Sequence, residues 1–243
     1  MTGPASSSGT AWGTVLVTAN AADPDAGYVG ERLIQRGLTL HTAIRDRGEV
    51  PSSMPDGTSL LLMLGSEWSV VDPVRPDVLD AEVALFLSAQ EAGVPVLGLC
   101  YGAQVATHAL GGRVFRAPAP EVGLVDVDTD EPGLVPGGPW WEFHTDVVEP
   151  PEGVRVVARN ACGVQAFVAP GMVCVQFHPE VRPETFDDWM GRFPDLVDAV
   201  GADRASLLAL AQGRESDARR AAYALVDAVL AAHLPGRVPH VAL

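Results

Sequence analysis

The sequence predicts an α/β fold: a mainly parallel, open sheet with helices on its faces. Two observations carry that expectation. Up to Gly112, short apolar runs alternate with amphipathic stretches, a strand–helix–strand rhythm that calls for crossover helices and parallel neighbours. Beyond Gly112 the texture changes to short β segments broken by Gly and Pro, and from Glu184 onward it turns helical.

Each element has its own signal. TVLVTA (Thr14–Ala19) reads as a buried strand. In the following GYVGERLIQRG, Val29, Leu33 and Ile34 recur at helical spacing and Gly37 stops the helix. LTLHTA and SLLLML read as two further strands, DVLDAEVALFLSAQEAG as a helix ending at Gly93, and VPVLGL as the next strand. EVGLVDVDTDEPGLVPGGP exemplifies the broken β region, and VRVVAR, GVQAFVA and MVCVQFH supply three more strands. ARRAAYALVDAVLAAHL, near the C-terminus, is amphipathic. There is no internal repeat and no linker that would separate a second domain. The expected organisation is a loose tail over 1–12 and one domain over 13–243, with a helical C-terminal extension from about 184.

The bulk properties exclude several classes of function. With 243 residues, 47% of them hydrophobic, the chain can build an ample core without metal or disulfide. A net charge of −15 repels phosphates and argues against nucleic acid. Cys100, Cys162 and Cys174 form no CxxC and no metal-type spacing with the six histidines, so no metal site is expected. The odd cysteine count, and a start (MTGPASSSGTAWG) without the basic region and apolar run of a secretory leader, predict a cytoplasmic protein. No apolar run approaches the length of a bilayer span, so no membrane partner is expected.

The chemistry begins at VPVLGLCYGAQVATHALGG (94–112). An apolar strand runs into Gly98, places Cys100 at a corner, and leaves through a helix. Gly98-x-Cys100-x-Gly102 is the pattern of a nucleophile elbow, where the turn is strained and the neighbouring residues must be small. The helix start favours the thiolate over the thiol, and the Tyr101 N–H would point where an oxyanion develops. A small buried cysteine in a βα turn satisfies the same pattern. A nucleophile also needs a base, and the base an orienting group. VCVQFHPEV supplies both: His178 closes an apolar strand, Pro179 prevents the ladder continuing, and Glu180 follows two residues later. Taken singly, a capped core histidine and a solvated strand-end charge explain them equally well. Together with Cys100, that reading needs three coincidences.

GLCYGAQ and QFHPE together resemble the class I, triad-type glutamine amidotransferase domain. The resemblance runs from about Val15 to Trp189 and takes in LLLMLGSEWSVVDP, WWEFHTDVVEPPEGVRVVARN and VQAFVAPGMVCVQFHPEVRPETFDDW in the family's order. The family's amidotransferase half of GMP synthetase is the nearest in pattern, in stand-alone form. The resemblance implies flavodoxin-like layering and a role for each matching position. Cys100 is the implied nucleophile, His178 the base, and Glu180 the group that orients the imidazole. Ser66 and Tyr101 give the two backbone donors of the oxyanion hole. Gln104, Gly65 and His144 line the substrate site. The chain departs from the family where Gly-Gly-Pro is replaced by Gly65-Ser66-Glu67, and where His-Gly-Asp is replaced by His144-Thr145-Asp146.

The implied reaction is hydrolysis of the glutamine side-chain amide through a γ-glutamyl thioester, with no metal or organic cofactor. The ammonia would pass to an acceptor activated on a separate synthetase chain, since no Walker-type phosphate loop is present. Two rivals stay open: a free-standing γ-glutamyl hydrolase or peptidase with the same triad, and a non-catalytic binding protein on this fold. Cys162 and Cys174, in β segments, read as inert packing.

Overall fold

The computed structural model describes residues 13–235, so the expected N-terminal tail lies outside the described residues. The first half contains β1 (Gly13–Ala19), α1 (Gly27–Gln35), β2 (Leu38–Ile44), β3 (Thr58–Met63), α2 (Pro76–Ala92), β4 (Val96–Leu99) and α3 (Tyr101–Ala109). The β-rich middle contains β5 (Arg113–Val125), β6 (Asp128–Thr129), β7 (Trp140–Glu149), β8 (Arg155–Arg159), β9 (Val164–Ala169) and β10 (Met172–Val175). Helices α4 (Pro183–Arg192), α5 (Pro194–Ala199) and α6 (Arg204–His233) follow.

Eight strands form one sheet in the order β2-β1-β3-β4-β10-β9-β8-β6. The half from β2 to β10 is parallel, and the half from β10 to β6 is antiparallel. The parallel strands are apolar throughout because both faces are covered. Val15, Val17, Leu60, Leu62, Val173 and Val175 face α1 and α6. Leu16, Leu61, Met63, Val96 and Cys174 face α2 and α3. This alternation along each strand makes the three layers. Asp227 on α6 accepts from Arg32 on α1 and from Arg36, which caps that helix, and so fastens the long C-terminal helix to the first one. No described helix is long and apolar enough to cross a membrane.

Two expectations are corrected. The region after Gly112 does not begin as short fragments: β5 is a 13-residue strand, paired antiparallel with β7 in a separate two-stranded sheet. His178 does not close a strand either. β10 ends at Val175, and His178 is held two residues past Gln176 by a 2.8 Å bond from its N–H to the Trp141 carbonyl of β7. The small sheet therefore anchors the histidine that the large sheet delivers.

Candidate active site

Cys100 is the corner between β4 and α3, at φ 47° and ψ −103°. It is the one non-glycine with positive φ among the described residues. Such a conformation costs on the order of 1–3 kcal/mol and persists only where the surroundings enforce it. Here two close approaches enforce it. A Cβ on Gly102 would lie 2.2 Å from the Met63 carbonyl oxygen, and one on Gly98 would meet Cys174 and Gly102 at 3.0 Å. The glycines let strand and helix close tightly enough to force the turn. Cys100 is buried, and the Gln176 amide donates to its Sγ at 3.4 Å. Burial pushes the Cys174 thiol up to about 12, and burial together with Glu121 does the same to Cys162.

His178 and Glu180 are both buried, with Nδ1 and Oε1 2.7 Å apart. Burial opposes a charge on the ring, yet Glu180 and then Cys100 outweigh it and hold the His178 pKa well above the usual value. Nε2 has no hydrogen-bond partner among the described residues. Trp189 of α4 packs edge-on against the ring, centroids 4.7 Å apart, and its indole N–H is tied to Asp23. A Cβ on Gly65 would sit 2.9 Å from His178 Cε1 and 3.7 Å from Cys100 Cβ. Gly65 is thus the floor on which Cys100 and His178 converge.

Ser66 follows in the loop after β3. Its hydroxyl accepts from the Trp68 N–H at 3.0 Å, and no acceptor for its own N–H exists among the described residues. The loop is pinned further along: Glu67 accepts from Arg192, and Ser69 donates to Asp146. Tyr101, the first residue of α3, has an N–H outside the helical ladder by position. Gln104, buried one turn along, keeps its backbone N–H on the Cys100 carbonyl at 3.0 Å.

His144 lies mid-strand in β7, directly opposite Glu121 of β5 and two residues from Glu142 on the same face. Its Nε2 is 3.1 Å from an oxygen of each carboxylate. Burial disfavours the imidazolium, but Glu121 and Glu142 raise its pKa to about 10. Glu142 has no exposure; burial pushes its carboxyl up against the pull of His144. The three groups have the spacing of metal ligands. As the cluster stands, the His144 imidazolium faces the carboxyl groups of Glu121 and Glu142, a buried ion triplet.

A cleft of about 710 Å³ opens over these groups, within the size range of small-molecule sites. Cys100, Gln104, His144, His178 and Glu180 line it, together with Gly65 and Ser66. Every side chain singled out from the sequence thus lines one cleft except that of Tyr101, which turns under its floor. Sequence reasoning missed Gln176, Glu121, Glu142 and Arg45. Gln176 had a signal, a polar residue at the end of an apolar strand. Glu121 and Glu142 gain meaning only from the β5–β7 register.

Fold and site together define an α/β protein with a Cys–His–Glu constellation past the carboxyl ends of the central strands β4 and β10. The sequence profile of the glutamine amidotransferase class-I family matches residues 73–192. The chain is similar to one subunit of the GMP synthase (glutamine-hydrolyzing) of Sulfurisphaera tokodaii, 45% identical over 97 residues, 36% of this chain and 52% of that one. It is 31% identical over 174 residues to GMP synthase (glutamine-hydrolyzing) of Pyrobaculum aerophilum, 69% of this chain and 33% of that one. A glutamine amidotransferase structure from Thermotoga maritima superposes with a TM-score of 0.80 at 21% identity, covering 89% of this chain and 97% of the other. The match spans about half or less of these curated relatives. Residues 73–192 thus form a class I glutamine amidotransferase domain.

Proposed function

We propose that the chain hydrolyses the side-chain amide of glutamine, or of a close γ-glutamyl compound, and that its ammonia goes to an acceptor on a separate chain. The observation that carries this reading is the strained Cys100 beside a buried His178 whose Nδ1 is held by Glu180 at 2.7 Å. His178, its pKa raised, holds the proton drawn from the thiol as an imidazolium, and the Cys100 thiolate attacks the amide carbon. The oxygen becomes an oxyanion held by the Ser66 and Tyr101 N–H groups. Collapse breaks the C–N bond, and His178 returns the proton to the leaving ammonia. Water then attacks the thioester, gives its proton to His178, and releases glutamate and the thiol. Gln104 pairs with the substrate's polar groups, while Gly65 and the His144 imidazolium line its pocket.

The Sulfurisphaera, Sulfolobus and Saccharolobus relatives are each named as one subunit of a GMP synthase, which supports a separate synthetase chain as the ammonia acceptor's host. One observation favours the second reading, a free-standing γ-glutamyl hydrolase: the cleft continues past the triad to Trp68, Trp189 and Phe193, farther than glutamine alone needs. Comparing turnover of glutamine with that of a γ-glutamyl anilide decides between them.

The primary test is labelling with 6-diazo-5-oxo-L-norleucine, a glutamine-mimicking electrophile, followed by peptide mapping. The adduct is expected on Cys100, with Cys162 and Cys174 spared because their thiols stay protonated. Modification chiefly at either of those two would overturn the assignment.

A further inference from the structure

Arg45 has no exposed surface, although nothing in AIRDRGEV marks it as a core residue. All five of its N–H donors are used. Nε donates to Glu82 at 2.9 Å, Nη1 to Asn20 Oδ1 at 2.9 Å and to the Gly65 carbonyl at 3.0 Å. Nη2 donates to Thr18 Oγ1 at 3.1 Å and to the Leu64 carbonyl at 2.9 Å. Glu82, on α2, is equally buried and also accepts from Thr18. The guanidinium carbon lies 4.9 Å from the centroid of the Tyr101 ring.

Two of these contacts reach the groups that face the cleft. The Gly65 carbonyl and the Ser66 N–H belong to one peptide unit, and that unit is trans. In a trans peptide the C=O and N–H point in opposite directions. A donor fixed on the Gly65 oxygen from inside the core therefore turns the Ser66 N–H outward, away from Arg45. Ser66 lines the cleft, and its N–H has no competing acceptor among the described residues. The second contact is the Tyr101 ring, which the cation holds beneath the start of α3. Tyr101 supplies the other N–H.

From this geometry we infer that Arg45 is a positioning residue that sets both oxyanion donors from beneath, through the Gly65–Ser66 peptide and the Tyr101 ring. The inference rests on the proposed amide hydrolysis, and it explains the departure at Gly65-Ser66-Glu67. A loop with one glycine instead of two keeps its donor in place because a buried cation clamps the peptide. Stability gives little reason for such a cation. A buried ion pair is commonly matched by an apolar pair of the same volume. Only a planar fork with five donors reaches two successive carbonyls, two side chains and a carboxylate at once.

Two variants test it. Arg45→Lys keeps a charge for Glu82 but cannot span both carbonyls. The double variant Arg45→Met/Glu82→Leu removes both charges together, so neither is left unpaired. Each is first compared with the parent for melting temperature. Then kcat and KM on the best γ-glutamyl amide are measured beside the rate at which iodoacetamide alkylates Cys100, a reaction that forms no oxyanion. The expected result is a kcat lowered by roughly 10- to 100-fold, part of the loss typical of a missing donor. KM and the alkylation rate should stay near the parent's. Parallel loss of alkylation and melting temperature would mean a merely structural role and overturn the inference. So would a folded variant with parental kcat. A parent that turns over no γ-glutamyl amide overturns the functional reading, and the inference with it.

Discussion

The cleft contains two buried histidines, and they differ in where their carboxylates sit. His178 has one carboxylate, on Nδ1 at 2.7 Å, and an Nε2 with no partner among the described residues. His144 has two, both at 3.1 Å from the same Nε2. A general base needs one nitrogen fixed and the other free to exchange a proton. His178 meets that condition. His144 has an unpartnered nitrogen too, Nδ1, so what separates the rings is that His178, not His144, converges with Cys100 on Gly65. His144 acts as a fixed positive charge beside the reacting groups. Burial and carboxylate contact are common to both, so neither property by itself identifies a base.

The largest expected effect breaks the His178 side of the comparison. His178→Ala should lower kcat by roughly 10³-fold or more, because the variant lacks both the proton acceptor and the proton donor. Glu180→Ala should retain more, by roughly tenfold or greater, since orientation is worth less than the base itself. Ammonia release in steady state measures both. If Glu180→Ala proved as inactive as His178→Ala, Glu180 would be more than an orienting group. If His178→Ala kept near-parental turnover, the proposed mechanism would be wrong.

The two histidines were also unequally legible in the sequence. His178 and Glu180 stand two residues apart in QFHPE, and Cys100 stands between glycines that a tight turn requires. Such local geometry is written in neighbouring residues. The role of His144 depends on Glu121 facing it across the β5–β7 ladder, a pairing between residues 23 positions apart in sequence. Sequence texture suggested that β5 was fragmented, because Pro118 and Pro120 interrupt an otherwise regular strand, and the ladder slips between Arg116 and Glu121. The strand–helix rhythm of the first half was readable because each run is apolar on both faces. Arg45 was not readable at all: its environment is assembled from β1, α2, α3 and the loop after β3, and no local pattern announces a buried cation. The position of His178 past the end of β10 depended likewise on a backbone bond to a different sheet.

A smaller effect sharpens the comparison at the floor of the site. Gly65→Ala places a Cβ 2.9 Å from His178 Cε1, closer than real contacts of that kind. The ring cannot retreat freely, since Glu180 holds one edge and Trp189 packs against it. A displaced base should reduce kcat by roughly 10- to 100-fold. The melting temperature should change little, because Gly65 lies in a half-buried loop rather than in the sheet. The pKa of His144 should be unaffected, since the added methyl group does not touch that cluster. A Gly65→Ala protein with full activity would show that the site tolerates movement of His178.

The smallest effect on activity, and the clearest on stability, is expected at His144. Its folded pKa of about 10 lies above the ordinary value of 6.5. A raised pKa means that folding binds the proton more tightly, so the protonated ring stabilises the folded state. That contribution is complete below pH about 6.5, declines as pH rises, and is gone above about 10. His144→Gln removes it at every pH and leaves Glu142 to take up a proton of its own, a change that burial already favours. The parent should therefore be more stable than His144→Gln near pH 6, and the gap should close as pH approaches 10. Melting temperatures of the two proteins at matched pH values, compared as a difference, cancel the titration of groups outside this cluster. Turnover at pH 7 should fall by less than roughly tenfold, a loss of charge beside the substrate rather than of a proton-transfer group. A gap that stays constant from pH 6 to 10 would mean that His144 is neutral in the folded protein. It would then be a second candidate base, and the contrast with His178 would have to be redrawn.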